Sequence, residues 1–108
     1  MNPNGVQRPR DADKPGSEEL IQRFANYLRV ERGLASNTIS SYRRDLMDFA
    51  AFLVKVRRDS VLEVTHPDIA EYLTNLRERG LVSSTVDRRI DSLRAFYKFL
   101  VAERYIPD

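Results

Sequence analysis

Cysteine is absent from the 108 residues, which excludes disulfides and thiolate metal sites and suits a reducing cytosol. The single histidine, His66, has no cysteine or clustered aspartate to join it, so no metal centre is expected. No apolar run approaches the ~20 residues that a membrane-crossing helix needs. The start, MNPNGVQRPRDADKPG, also lacks the apolar core of a signal peptide. A soluble, cytoplasmic protein with no membrane partner is the expectation. An excess of one charge is missing too: 18 Lys and Arg face 16 Asp and Glu, leaving +2. Overall charge therefore says little about partners, and placement has to decide. Nor is there an acid–base pair or a nucleophile with a base beside it. No catalytic residue, cofactor or small-molecule ligand is expected in this chain.

What is present is one pattern written twice. ERGLASNTISSYRRDLMDFAAFL spans Glu31 to Leu53, and RERGLVSSTVDRRIDSLRAFYKFL ends at Leu100. At an offset of 47 residues, Glu31, Arg32, Gly33 and Leu34 fall on Glu78, Arg79, Gly80 and Leu81. Ser36 falls on Ser83 and Thr38 on Thr85, and then Ile39 on Val86, Leu46 on Leu93, Phe49 on Phe96, Phe52 on Phe99 and Leu53 on Leu100. Both the helix start and the buried face are repeated. Stable helical arrays need about three or more units, so two copies indicate a duplicated helical hairpin.

Met1 to Gly16 contain almost nothing apolar and are expected to form a disordered tail. Four helices follow. The first starts with Ser17 as N-cap, carries Leu20, Ile21, Phe24, Tyr27 and Leu28, and stops at Gly33. The second has Ser36 as N-cap and an apolar stripe of Ile39, Tyr42, Leu46, Phe49, Ala50 and Leu53, fraying over Lys55 to Arg58. A loop from Asp59 to Val64 tucks Val61, Leu62 and Val64 under the helices. The third opens on T-H-P-D, Thr65 to Asp68, as a capping box with Pro67 in its first turn, and ends at Gly80. The fourth starts at Ser83 or Ser84 and runs to about Glu103 on Val86, Ile90, Leu93, Phe96, Tyr97 and Leu100. No segment alternates with period two. An all-α four-helix bundle of two related hairpins is the expected fold.

Both copies place a glycine stop before a long helix whose first N–H groups and positive dipole end point outward, and such ends attract phosphate. Asn37, Thr38, Ser40 and Ser41, and then Ser84 and Thr85, add small hydrogen-bonding groups; Arg43, Arg44, Arg88 and Arg89 add charge. On a helical wheel Asn37, Ser41, Arg44, Ser84 and Arg88 lie opposite the apolar stripes. Two repeated heads suit one long anionic object such as duplex DNA. Lys55, Arg57 and Arg58 either extend that surface or are solvated at a negative helix end. Tyr27, Tyr42, Tyr72 and Tyr97 read as core rings with hydroxyls reaching the surface, not as nucleophiles.

The motifs F-x-x-Y-L-x-x-E-R-G-L-A-S-N-T-I-S-S-Y-R-R-D-L, D-I-A-E-Y-L and R-G-L-x-x-S-T-V-x-R-R-I-x-S-L-R-A-F-Y-K-F-L run from Phe24 to Leu100, within a likeness that covers about Glu18 to Asp108. They resemble the core-binding domain of tyrosine site-specific recombinases of the Xer and phage-integrase kind. The resemblance implies a SAM-like bundle over residues 17–108, half of a clamp around double-stranded DNA, with its second and fourth helices at the major groove. It further implies phosphate contacts at Thr38 and Thr85, groove-facing positions at Ser41 and Arg88, and other recombinase protomers as partners. The tyrosine nucleophile of that family lies on a separate domain, and Ile106-Pro107-Asp108 falls where its interdomain linker begins, so an excised domain is expected. A helical protein-interaction domain without DNA binding is the competing reading, favoured only if apolar residues cluster outside the stripes; Tyr105 and Ile106 are the candidates.

Overall fold

The computed structural model describes residues 15–107. The expected tail, apart from Pro15 and Gly16, lies outside the described residues. Four α-helices make up the fold: α1 Ser17–Val30, α2 Ser36–Lys55, α3 His66–Glu78 and α4 Ser83–Ala102. A single 3-10 turn, Val61–Glu63, joins α2 to α3, and there is no strand among the described residues. The order, number and all-α class are those expected from the periodicity.

Leu20, Ile21, Phe24 and Leu28 of α1 meet Leu46, Phe49 and Leu53 of α2 and Leu93, Phe96 and Leu100 of α4 in one core. Tyr72 and Leu76 bring α3 into it. α1 packs chiefly on α2, and α2 in turn on α4; α3 makes smaller contacts with α2 and α4. The two duplicated helices are thus neighbours across the centre. Aromatic rings knit the layers in offset and edge-to-face geometry, with Phe24 against Phe96 at 5.5 Å and Phe49 against Tyr72 at 5.0 Å.

The duplication extends to the helix ends. Gly33 and Gly80 take the left-handed backbone at φ 64° and 77°, and Arg57 and Arg104, also 47 residues apart, take it at φ 64°. Behind Arg57, Arg58 N donates to Leu53 O at 2.8 Å and Arg57 N to Val54 O at 3.1 Å; Tyr105 and Arg104 repeat these bonds on Leu100 and Val101. Both long helices close in a Schellman turn with arginine where glycine is usual, at a strain of roughly 1 kcal/mol each.

The helix starts depart from expectation by one residue. Gly16, Ala35 and Val82 occupy the N-cap positions of α1, α2 and α4, none with a side-chain cap bond. Ser17, Ser36 and Ser83 are the first helical residues instead. The hydroxyl of Ser17 accepts the N–H of Val61 at 3.0 Å, and the Tyr97 hydroxyl donates to Val61 O at 2.7 Å. Val61 is clamped from both sides and fully buried, which is how the α2–α3 connection tucks under the bundle.

At α3 the capping box forms as expected. Asp68 accepts from Thr65 N at 2.9 Å and Thr65 Oγ1 from Asp68 N at 3.4 Å, while Arg58 Nε reaches Asp68 at 3.1 Å. The backbone N–H of Thr65 contributes most to holding the Asp68 carboxyl below the ordinary carboxylate range, and it outweighs the opposing effect of burial. A carboxyl with a lowered pKa in the fold stabilises it above its unfolded value of about 3.9 and loses that contribution as pH falls through the lower folded value. Urea unfolding midpoints should therefore drop as pH is taken from about 5 towards 2. Asp68→Asn should lower the midpoint near neutrality and converge on wild type in acid; parallel curves for the two proteins would refute this role.

Candidate nucleic-acid interface

The first turns of α2 and α4 differ from those of the other helices in charge. α1 carries Glu18 and Glu19 in its first turn and α3 carries Asp68, whereas the first turns of α2 and α4 hold no acidic residue. With alanine and valine at the N-cap, no side chain satisfies the leading N–H groups. Those of Ser36, Asn37 and Thr38 have no acceptor among the described residues, nor have those of Ser83 and Ser84; Thr85 N reaches Val82 O at 3.0 Å. These are the donors and partial positive charges that favour an anion.

Asn37, Thr38, Ser40, Arg43 and Arg44 are exposed, and Ser41 is half-buried. Arg43 and Arg44 have no ion-pair partner among the described residues. On α4, Ser84 is exposed and Thr85 half-buried. The two α4 arginines differ from the expectation of free surface charge. Arg88 grips the Asp45 carboxylate of α2 through Nε at 3.1 Å and Nη2 at 2.8 Å, and Ser92 Oγ donates to the same carboxylate at 2.8 Å. This places the second turn of α4 against the third turn of α2.

Arg89 turns inward. Its side chain is 11% exposed and its Nη1 lies 2.8 Å from Asp48 Oδ2, with Nε unpartnered among the described residues. Asp48 also receives both Nη groups of Arg79 at 3.0 and 3.2 Å and the Tyr72 hydroxyl at 2.7 Å. Burial opposes the charge on Asp48, but the Arg79 and Tyr72 hydrogen bonds and the charge of Arg89 reverse that, and its carboxyl titrates below the ordinary value. Burial first, and then Asp48, push the Tyr72 hydroxyl upward. The Tyr72 and Tyr97 hydroxyls therefore end on protein acceptors, not at the surface. Arg58 pairs with Asp68, so of the basic stretch after α2 only Lys55 and Arg57 lack a partner among the described residues. They lie at the far end of a 20-residue helix, about 30 Å from its head.

Reasoning from the sequence missed Asp45, Asp48 and Ser92. The signal was present: Asp45 lies three residues after Tyr42 and four before Phe49, on the buried stripe, and the offset of 47 superimposes it on Ser92. Arg89 likewise lies three after Val86 and four before Leu93. A polar residue inside an apolar register has to meet a buried partner.

The family model for the phage integrase N-terminal SAM-like domain matches residues 21–104, and the chain belongs to that family. It is similar to the tyrosine recombinase XerC of Listeria welshimeri, 40% identical over 90 residues covering 83% of this chain and 30% of the relative. It is similar also to the tyrosine recombinase XerD of Agrobacterium fabrum, 41% identical over 83 residues, 77% of this chain and 25% of the relative. The XerC of Roseiflexus castenholzii is 43% identical over 82 residues, 76% of this chain and 26% of the relative. The chain thus spans a quarter to a third of the length of the relatives it matches. No solved structure matches.

Proposed function

We propose that this chain is the DNA-binding, core-binding part of a tyrosine recombinase that cuts and rejoins DNA at specific sites in recombination or integration. Duplex DNA is held at the heads of α2 and α4. Thr38, Thr85 and the free N–H groups meet phosphates, Asn37, Ser40, Ser41 and Ser84 supply short polar contacts, and Arg43, Arg44 and Arg88 supply charge and reach towards base edges. Arg89 supports the surface from behind by holding Asp48. Breaking and rejoining of strands falls to a separate catalytic domain, with other protomers of the recombinase as partners. The observation that carries the reading is the duplicated helix start that has neither a side-chain cap nor an acidic first turn.

The two heads are unequal. Exposed Asp87 and Asp91 flank Arg88 on α4, whereas the exposed arginines of α2 have no exposed acid on the same turn. Arg44 is therefore the sharper test. The chain should bind random-sequence duplex weakly, in the non-specific range of ~10⁻⁴–10⁻⁶ M, with a steep salt dependence. Arg44→Ala should weaken binding and flatten the log–log salt slope by about one unit if it meets phosphate. If it reads a guanine edge, the loss should be ~1–3 kcal/mol and depend on sequence. Glu71→Ala, on the exposed side of α3, should change little. Gel shifts at two salt concentrations decide it, and equal slopes for wild type and Arg44→Ala, with equal affinities, would remove α2 from the interface.

A protein-interaction reading rests on a different observation. Tyr105 and Ile106, its candidates in the sequence, pack onto the core, and Arg23 Nη1 donates to the Tyr105 hydroxyl at 2.6 Å. Exposed large apolar side chains among the described residues are Val30, Met47, Val54 and Val82, of which Met47 and Val54 share one face of α2. Contacts with other protomers of a recombinase would find Met47 and Val54 on that face.

A further inference from the structure

Arg88 is the one arginine of the proposed surface that is both partnered and open to solvent, and its partner is unusual. The Asp45 side chain is 1% exposed, whereas that of Arg88 is 47% exposed. Three hydrogen bonds converge on the buried carboxylate, from Arg88 Nε, Arg88 Nη2 and Ser92 Oγ. A guanidinium has five N–H donors in a rigid plane. Two of them face Asp45; the Nη1 pair and the second Nη2 hydrogen have no acceptor among the described residues. One edge of the plane is anchored inside the bundle, and the opposite edge is presented outward beside the head of α4.

We infer that Asp45, seated on α2 and steadied by Ser92 of α4, is a positioning residue that holds the outer edge of the Arg88 guanidinium ready for a phosphate or a base edge of duplex DNA. This rests on the DNA-binding reading above. A long arginine side chain loses rotamer freedom on binding, and one already fixed by a bidentate carboxylate loses less. The anchor bridges α2 and α4, and the carboxylate sets the angle of the guanidinium plane. A lysine would satisfy Asp45 as a point charge, but it would leave no outward donor edge.

That difference supplies the test. Arg88→Lys, Asp45→Asn and their combination are compared with wild type for binding to random-sequence duplex DNA, with helicity and melting followed in parallel. Arg88→Lys should keep the fold and weaken binding about tenfold, and Asp45→Asn should weaken it about 3–10-fold by freeing the guanidinium. The double variant should bind no more weakly than Arg88→Lys alone, because the anchor acts only through the fork. In the unmodified protein, the Arg88 Nε–H resonance should be protected from exchange before DNA is added, and its Nη resonances should shift on titration. Wild-type affinity in Arg88→Lys, additive losses in the double variant, or Nη resonances unmoved at saturating DNA would each overturn the inference. If Arg44→Ala still weakens binding, the DNA-binding reading survives that result. If Arg44→Ala binds like wild type as well, the surface itself is wrong and the inference falls with it.

Discussion

Phe96→Ala should destabilise the protein by about 3–5 kcal/mol, enough to consume much of the 5–15 kcal/mol typical of a domain. Phe96 has no exposed surface and lies 5.5 Å from both Phe24 and Tyr97, so α1 and α4 meet on its ring. Its counterpart in the repeat, Phe49, is also fully buried and packs on Tyr72 at 5.0 Å. Removing either ring opens a cavity between helices whose backbones are fixed by other contacts, and collapse can fill only part of it. Phe49→Ala should therefore fall in the same range. Urea unfolding of the two variants checks the pair. A loss below about 1 kcal/mol at both would mean that the duplicated stripes do not meet in the core.

Arg88→Ala should also destabilise, by up to about 3 kcal/mol, the lower end of what stripping a buried charge of its partner costs, because water reaches the arginine side. The sequence alone suggests a solvated arginine whose loss leaves the fold intact. The structure alters that expectation, since the variant leaves the Asp45 carboxylate with only the Ser92 hydroxyl. Adding Asp45→Asn to Arg88→Ala should recover part of the loss, because no bare charge then remains inside. Thermal melts of the single and double variants measure this. A double variant less stable than Arg88→Ala would show that the pair is not what holds α2 against α4. DNA binding by Arg88→Ala is consequently to be read only at temperatures well below its melting point.

Much of the fold was legible because it depends on apolar period. The stripes through Leu46 and Phe49, and through Leu93 and Phe96, fix which face of each long helix turns inward, and Gly33 and Gly80 mark two stops. Helix starts were less legible, since a serine suits either the cap or the first turn; Ser17, Ser36 and Ser83 all moved one place inward, leaving Ala35 and Val82 as caps that cannot bond. Polar partners across helices were least legible. Tyr72 has its hydroxyl inside only because Asp48 of α2 comes to meet it, and Arg88 is anchored only because Asp45 interrupts an apolar register. Such pairings depend on which helices touch, and periodicity along one helix does not carry that information.

The central claim is that DNA meets the heads of α2 and α4, and the most direct measurement is to follow the backbone amides by NMR as duplex DNA is titrated in. Shifts concentrated in Ser36–Arg44 and Ser83–Arg88, fading as salt is raised, are the predicted result. Shifts confined to α1 and α3, with both heads silent, would contradict it.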